Sequence, residues 1–74
     1  MSPRAPRVTG DAVIAALMRG GFRKLRQSGS HVRLKGPTGA LVTVVRTGEI
    51  LKPKTLESIL VQSGLSIADL QRLL

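Results

Sequence analysis

One histidine stands in this chain of 74 residues, and no cysteine accompanies it. His31 follows Arg26-Gln27-Ser28-Gly29-Ser30 and opens the run His31-Val32-Arg33-Leu34-Lys35, in which basic and apolar residues alternate. Histidine ordinarily titrates at about pH 6.5, which makes it the one side chain type here suited to moving protons near neutrality. Arg33, Lys35, Arg26 and Lys24 carry the positive charge that neutralises a phosphate in its transition state. Ser28, Gly29 and Ser30 add hydroxyls and backbone N–H groups, which orient phosphate oxygens. Together these residue types fit proton transfer at a phosphate ester, as when a neighbouring hydroxyl attacks phosphorus. That reaction needs a base for the hydroxyl proton and cations for the charge on phosphorus. Like charge around an imidazole favours its neutral form, which suits the base. No general acid stands out nearby, so the expected rate is modest.

Nothing in the chain resembles a metal centre. Its acids, Asp11, Glu49, Glu57 and Asp69, are scattered, and a single histidine does not make a site. The expectation is chemistry without metal or cofactor. Lys and Arg number 12 against 4 Asp and Glu, for a net charge of +8. No acid occurs between Ala12 and Gly48, a span that carries Arg19, Arg23, Lys24, Arg26, Arg33, Lys35 and Arg46. A one-signed block of this kind is the footprint of a polyanion, with a merely solvated basic face as the plainer alternative. The balance favours nucleic acid or an acidic protein as partner. Phe22 is the single aromatic residue, which argues against readers that stack bases on rings.

The elements that position these residues follow from pattern. Thr9 is an N-cap with Asp11 in the first turn, and Val13, Ile14, Leu17 and Met18 form a helical stripe that Gly20-Gly21 ends. A first strand is expected over Phe22 to Gln27, with imperfect alternation. Ser28-Gly29-Ser30 is a turn, His31 to Lys35 a second strand, Gly36-Pro37-Thr38-Gly39 a second turn, and Ala40 to Val45 a third strand. Pro53 opens another helix, with Leu56, Ile59, Leu60 and Ser63 inward, that stops at Gly64. Ser66 with Asp69 makes a capping-box pattern for a short last helix bearing Ile67, Leu70, Leu73 and Leu74. The order is α-β-β-β-α-α: an α+β fold with a three-stranded antiparallel sheet covered by helices on one face. Residues 1–8 read as a flexible basic tail without a secretory signal, and 9–74 as a single domain.

Three short strands need the helices over one face, and Val32, Leu34, Val42 and Val44 are the expected covered set. The opposite face then presents His31, Arg33, Lys35 and Thr43 to solvent. A lone histidine is more often structural than catalytic, but this one has charged strand neighbours. Leu41 and Val45 share its face, where an acidic protein partner would cover them and His31 together.

These residues also carry a resemblance. Thr9-Gly10-Asp11-x-Val13-Ile14, Gly21-Phe22 and Gln27-Ser28-Gly29-Ser30-His31-Val32-Arg33-Leu34 resemble the HicA toxin family. Leu51-Lys52-Pro53-Lys54-Thr55-Leu56-x-x-Ile59-Leu60 and Gly64-Leu65-Ser66 follow in matching order and spacing, so the likeness spans about Thr9 to Leu74. It implies a prokaryotic messenger-RNA-cleaving toxin with a double-stranded-RNA-binding-domain-like fold and His31 as its catalytic histidine. It also implies silencing by a HicB-type antitoxin. The chain departs from the family's usual pattern at Val45-Arg46-Thr47-Gly48-Glu49, where a second histidine is frequent, and at Lys54, where glycine is common.

Two other functions fit parts of the chain. A non-catalytic RNA-binding module of the same fold would use the basic face and have no need of the histidine. A helix-turn-helix DNA reader would place Ile67 to Leu74 in the major groove, but that segment offers mostly leucine beside Gln71, Arg72 and Asp69. No apolar run approaches the length of a membrane span, so no membrane partner is expected, and a cytoplasmic location is.

Overall fold

Thr9 starts the first helix by accepting the Ala12 N–H on its side-chain oxygen at 3.0 Å. The computed structural model describes residues 6–74, and in it α1 spans Gly10–Arg19. Three strands follow, β1 (Arg23–Ser28), β2 (His31–Lys35) and β3 (Leu41–Val45), and then α2 (Pro53–Ser63) and α3 (Ile67–Leu73). The strands form one antiparallel sheet in the order β1-β2-β3. This is the α+β arrangement expected from the sequence, with the strand edges moved slightly: β1 begins and ends one residue later, and β3 begins at Leu41.

The alternation in β2 and β3 sorts their side chains as expected. Val32, Leu34, Val42 and Val44 are buried, while His31, Arg33, Lys35, Leu41, Thr43 and Val45 are exposed. The buried set joins Val13, Ala16 and Leu17 of α1, Leu56 and Ile59 of α2, and Leu70 of α3 in one core. Helices α1 and α2 therefore lie against this face, α3 packs on α1, and the other face is open. Leu70, fully buried, ties α3 into this core, and Arg19 of α1 donates from Nε to the Leu73 carbonyl at 2.6 Å. That packing disfavours α3 as a groove-reading helix.

Most of the expected tail, residues 1–5, lies outside the described residues. Its last residue belongs to the domain. Val8 is buried, its carbonyl accepts the Leu51 N–H at 2.8 Å, and Thr9 bridges to Ile50. The segment before α1 is thus pinned to the segment before α2.

The first strand breaks its own alternation. Ser28, Gln27 and Arg26 oppose His31, Val32 and Arg33, but Lys24 and Arg23 oppose Leu34 and Lys35. Leu25 is the extra residue of a β-bulge. Phe22 and Leu25 stand three apart, so a regular strand sends them to opposite faces. The bulge resolves the competition in favour of the larger ring. Phe22 is buried and its ring packs on Gly36, where a Cβ would lie 2.7 Å from the ring carbons, while Leu25 is left 46% exposed.

Candidate functional site

Register places three rows across the open face. Ser28, His31 and Val45 form the first, Arg26, Arg33 and Thr43 the second, and Arg23, Lys35 and Leu41 the third. Side chains directly opposite on neighbouring strands are about 5 Å apart at Cβ. Rows two residues apart along a strand are separated by about 7 Å. His31 is exposed, and a shallow depression of about 200 Å³ is lined by His31, Arg26, Ser28, Arg33 and Thr43.

The β2 residues hold their positions because that strand is central and pairs along both edges. Thr43 is fixed from outside: its N–H, on the free edge of β3, donates to Gln62 Oε1 of α2 at 3.2 Å. Gln62 in turn donates from Nε2 to Ser58 Oγ at 3.0 Å. A side-chain amide thus occupies a strand edge that would otherwise present an unpaired donor.

The electrostatics are one-sided. Among the described residues the ion pairs are Arg46 with Asp11, at 4.0 Å, and Arg72 with Asp69, and neither involves the open face. Arg23, Arg26, Arg33 and Lys35 therefore crowd one surface without an acidic partner. Such an array repels itself and attracts a polyanion. Among the described residues no group of three His, Cys, Asp or Glu is arranged to hold a metal ion.

Of the residues expected to meet phosphate, Arg26, Ser28, Arg33 and Lys35 share the histidine's face. Lys24 does not. The bulge turns it toward the helix side, where its Nζ donates to Gln27 Oε1 at 3.3 Å and it lines a hollow with Ile14 and Met18. Gly29 and Ser30 lie at the tip and line a separate depression with Asp11, Gln27 and Arg46. Two residues join the face that the sequence reading did not place there as binding groups, Arg23 and, as a lining residue of the depression, Thr43. The signal for Arg23 was the odd spacing of Phe22 and Leu25, which cannot both point inward without a bulge.

Over residues 10–65 the chain matches the family described as HicA toxin of bacterial toxin–antitoxin. It belongs to the HicA toxin family. The matched stretch runs from the start of α1 to the turn before α3, so it contains the whole sheet and its open face. No curated protein matches the chain. Membership makes the protein a toxin of a toxin–antitoxin system. Among the described residues no helix is long and apolar enough to cross a membrane.

Proposed function

We propose that this HicA family toxin is an endoribonuclease that cleaves messenger RNA in the cytoplasm, with His31 as the general base. One observation carries the reading. The histidine is exposed in a depression that it shares with two arginines and a serine, and neither arginine is neutralised by an acid. An imidazole nitrogen of His31 takes the proton of the 2′-hydroxyl as its oxygen bonds to phosphorus. The bond from phosphorus to the 5′-oxygen then breaks, leaving a 2′,3′-cyclic phosphate, and the departing oxygen takes a proton from water. Arg26 and Arg33 hold the charge that builds on the phosphoryl oxygens, and Ser28 orients them. A positioned base is worth about 10²–10⁴-fold in rate, and a preorganised cation or donor about 10²–10³-fold. Neither contribution calls for a metal.

A HicB-type antitoxin silences the toxin in this reading by covering the same face. Leu41 and Val45, 43% and 37% exposed, flank the cations there. A partner with an acidic surface and an apolar centre buries both leucine and valine while it blocks His31.

The deciding experiment incubates the purified toxin with labelled RNA in excess EDTA. We expect wild-type protein to cut it, and His31→Ala to lose at least about 100-fold in rate. The exposed ring contributes little to packing, so the variant should melt with the wild type and still bind RNA. A folded His31→Ala protein that cuts at the wild-type rate defeats the mechanism. Binding without cleavage by the wild type leaves a non-catalytic RNA-binding module instead.

A further inference from the structure

Resting on the ribonuclease reading, we infer that Arg23 and Lys35 form a second phosphate subsite. It receives the phosphate one nucleotide away from the scissile bond, on one side only. The two residues oppose each other across β1 and β2, so their side chains leave the same face at neighbouring points. Both are exposed and neither has an acidic partner among the described residues. They lie outside the depression that holds His31, Arg26 and Arg33, one row farther along the strands. That step is about 7 Å, close to the separation of neighbouring phosphates in an extended nucleotide chain. The third row therefore continues the second at the repeat of the ligand.

The other direction offers no such continuation. Beyond the row of Ser28, His31 and Val45 the β1–β2 turn closes the sheet, and the next cation, Arg46, is paired with Asp11 at 4.0 Å. A single strand held at His31 thus finds two cations without an acid beside them toward the Gly36 turn, and toward the Gly29 turn one, Arg46, that has Asp11 beside it.

The bulge in β1 reinforces the assignment. Regular pairing beyond Arg26 would bring Lys24 opposite Lys35 and turn Arg23 under the helices. The observed register presents Arg23 instead, whose planar guanidinium binds two phosphate oxygens at once where an ammonium acts as a point charge.

The test measures binding without chemistry. A 2′-O-methyl dinucleotide, which lacks the attacking hydroxyl, is titrated by NMR in three forms: bare, with a 5′-phosphate, and with a 3′-phosphate. The wild-type toxin should bind one phosphorylated form about tenfold tighter than the bare one, the scale of a charge-assisted hydrogen bond at an exposed site. The other form should gain less than about half of that, on a logarithmic scale. In the Arg23→Gln/Lys35→Gln variant the preferred form should lose its advantage. The inference fails if the advantage survives in the variant, if both ends gain equally, or if neither gains. Cleavage of unmodified RNA by the wild type is scored separately, so failure of the nuclease reading shows itself as intact RNA whatever the titrations give.

Discussion

Gly10 links the first helix to the histidine row through its missing side chain. A Cβ there would lie 2.0 Å from the carbonyl oxygen of Val45 and 3.0 Å from Thr47 Cγ2. Val45 is the cross-strand partner of His31, so the helix start and the site share a wall. Gly10→Ala must push β3 or α1 aside, and should cost about 1–3 kcal/mol or more, the range of an overpacked core. Gly29 is the opposite case, with φ of 59° and nothing within 4 Å of an added Cβ. Gly29→Ala should cost only the strain of the left-handed backbone, about 1–2 kcal/mol, and Gly29→Asn less because asparagine visits that region. Urea midpoints for the three variants check the ranking. The turn glycine was legible from its Ser-Gly-Ser setting. Gly10 was not, because nothing in a helix-starting Thr-Gly-Asp tells how near another strand's carbonyl will come.

The β2 strand was legible in full because its alternation is clean: Val32 and Leu34 go in, and His31, Arg33 and Lys35 go out. β1 was legible only as a strand. Its apolar residues, Phe22 and Leu25, disagree about which face is inward, and alternation alone cannot say which yields. The size of the ring decides it, and Lys24 and Arg23 change sides as a consequence. Deleting Leu25 should therefore be tolerated within about 1 kcal/mol, because it removes the unpaired residue and leaves Lys24 opposite Leu34 and Arg23 opposite Lys35. Phe22→Ala should cost about 3–5 kcal/mol. Equal losses on chemical denaturation would contradict that account of the bulge. The last helix makes a different prediction. Ser66 accepts the Asp69 N–H at 3.0 Å and donates its own N–H to Asp69 Oδ2 at 3.1 Å, the reciprocal cap read from the sequence. The hydrogen bond from the Ser66 backbone, above all, holds the Asp69 carboxyl below the usual carboxylate range, with the Ser66 hydroxyl and Arg72 adding to it. A depressed acid stabilises the folded state fully above its unfolded pKa, about 3.9, and that help is lost as pH falls through its lower folded value. Melting curves from pH 7 downward should show wild type and Asp69→Asn converging only in that acid window.

At the scale of the whole molecule, the charge that serves binding works against folding. Of the 12 Lys and Arg in 74 residues, Arg23, Arg26, Arg33 and Lys35 gather on one face of the sheet, and the described ion pairs use Asp11 and Asp69 elsewhere. Gathering Arg23, Arg26, Arg33 and Lys35 on neighbouring strands raises their mutual repulsion above its value in the unfolded chain, where they are farther apart on average. Salt screens that repulsion over a distance of about 10 Å at 0.1 M and about 3 Å at 1 M. The same screening removes the counterion gain that drives RNA onto the face, since log affinity for a single strand falls with log salt at a slope of about −0.7 per phosphate neutralised. The two consequences have opposite signs and one cause. Raising sodium chloride from 50 mM to 500 mM should raise the melting temperature of the free toxin while weakening its grip on RNA. Exchanging Arg23 and Lys35 for glutamine should reduce both responses, with the binding slope becoming shallower by about 0.7, since the pair holds one phosphate. A basic surface spread evenly over the molecule would give a salt-dependent affinity as well, but removing two of its cations would not flatten stability and binding together. Paired thermal melts and RNA titrations across the salt series, on wild type and the double variant, distinguish a concentrated face from a diffuse one.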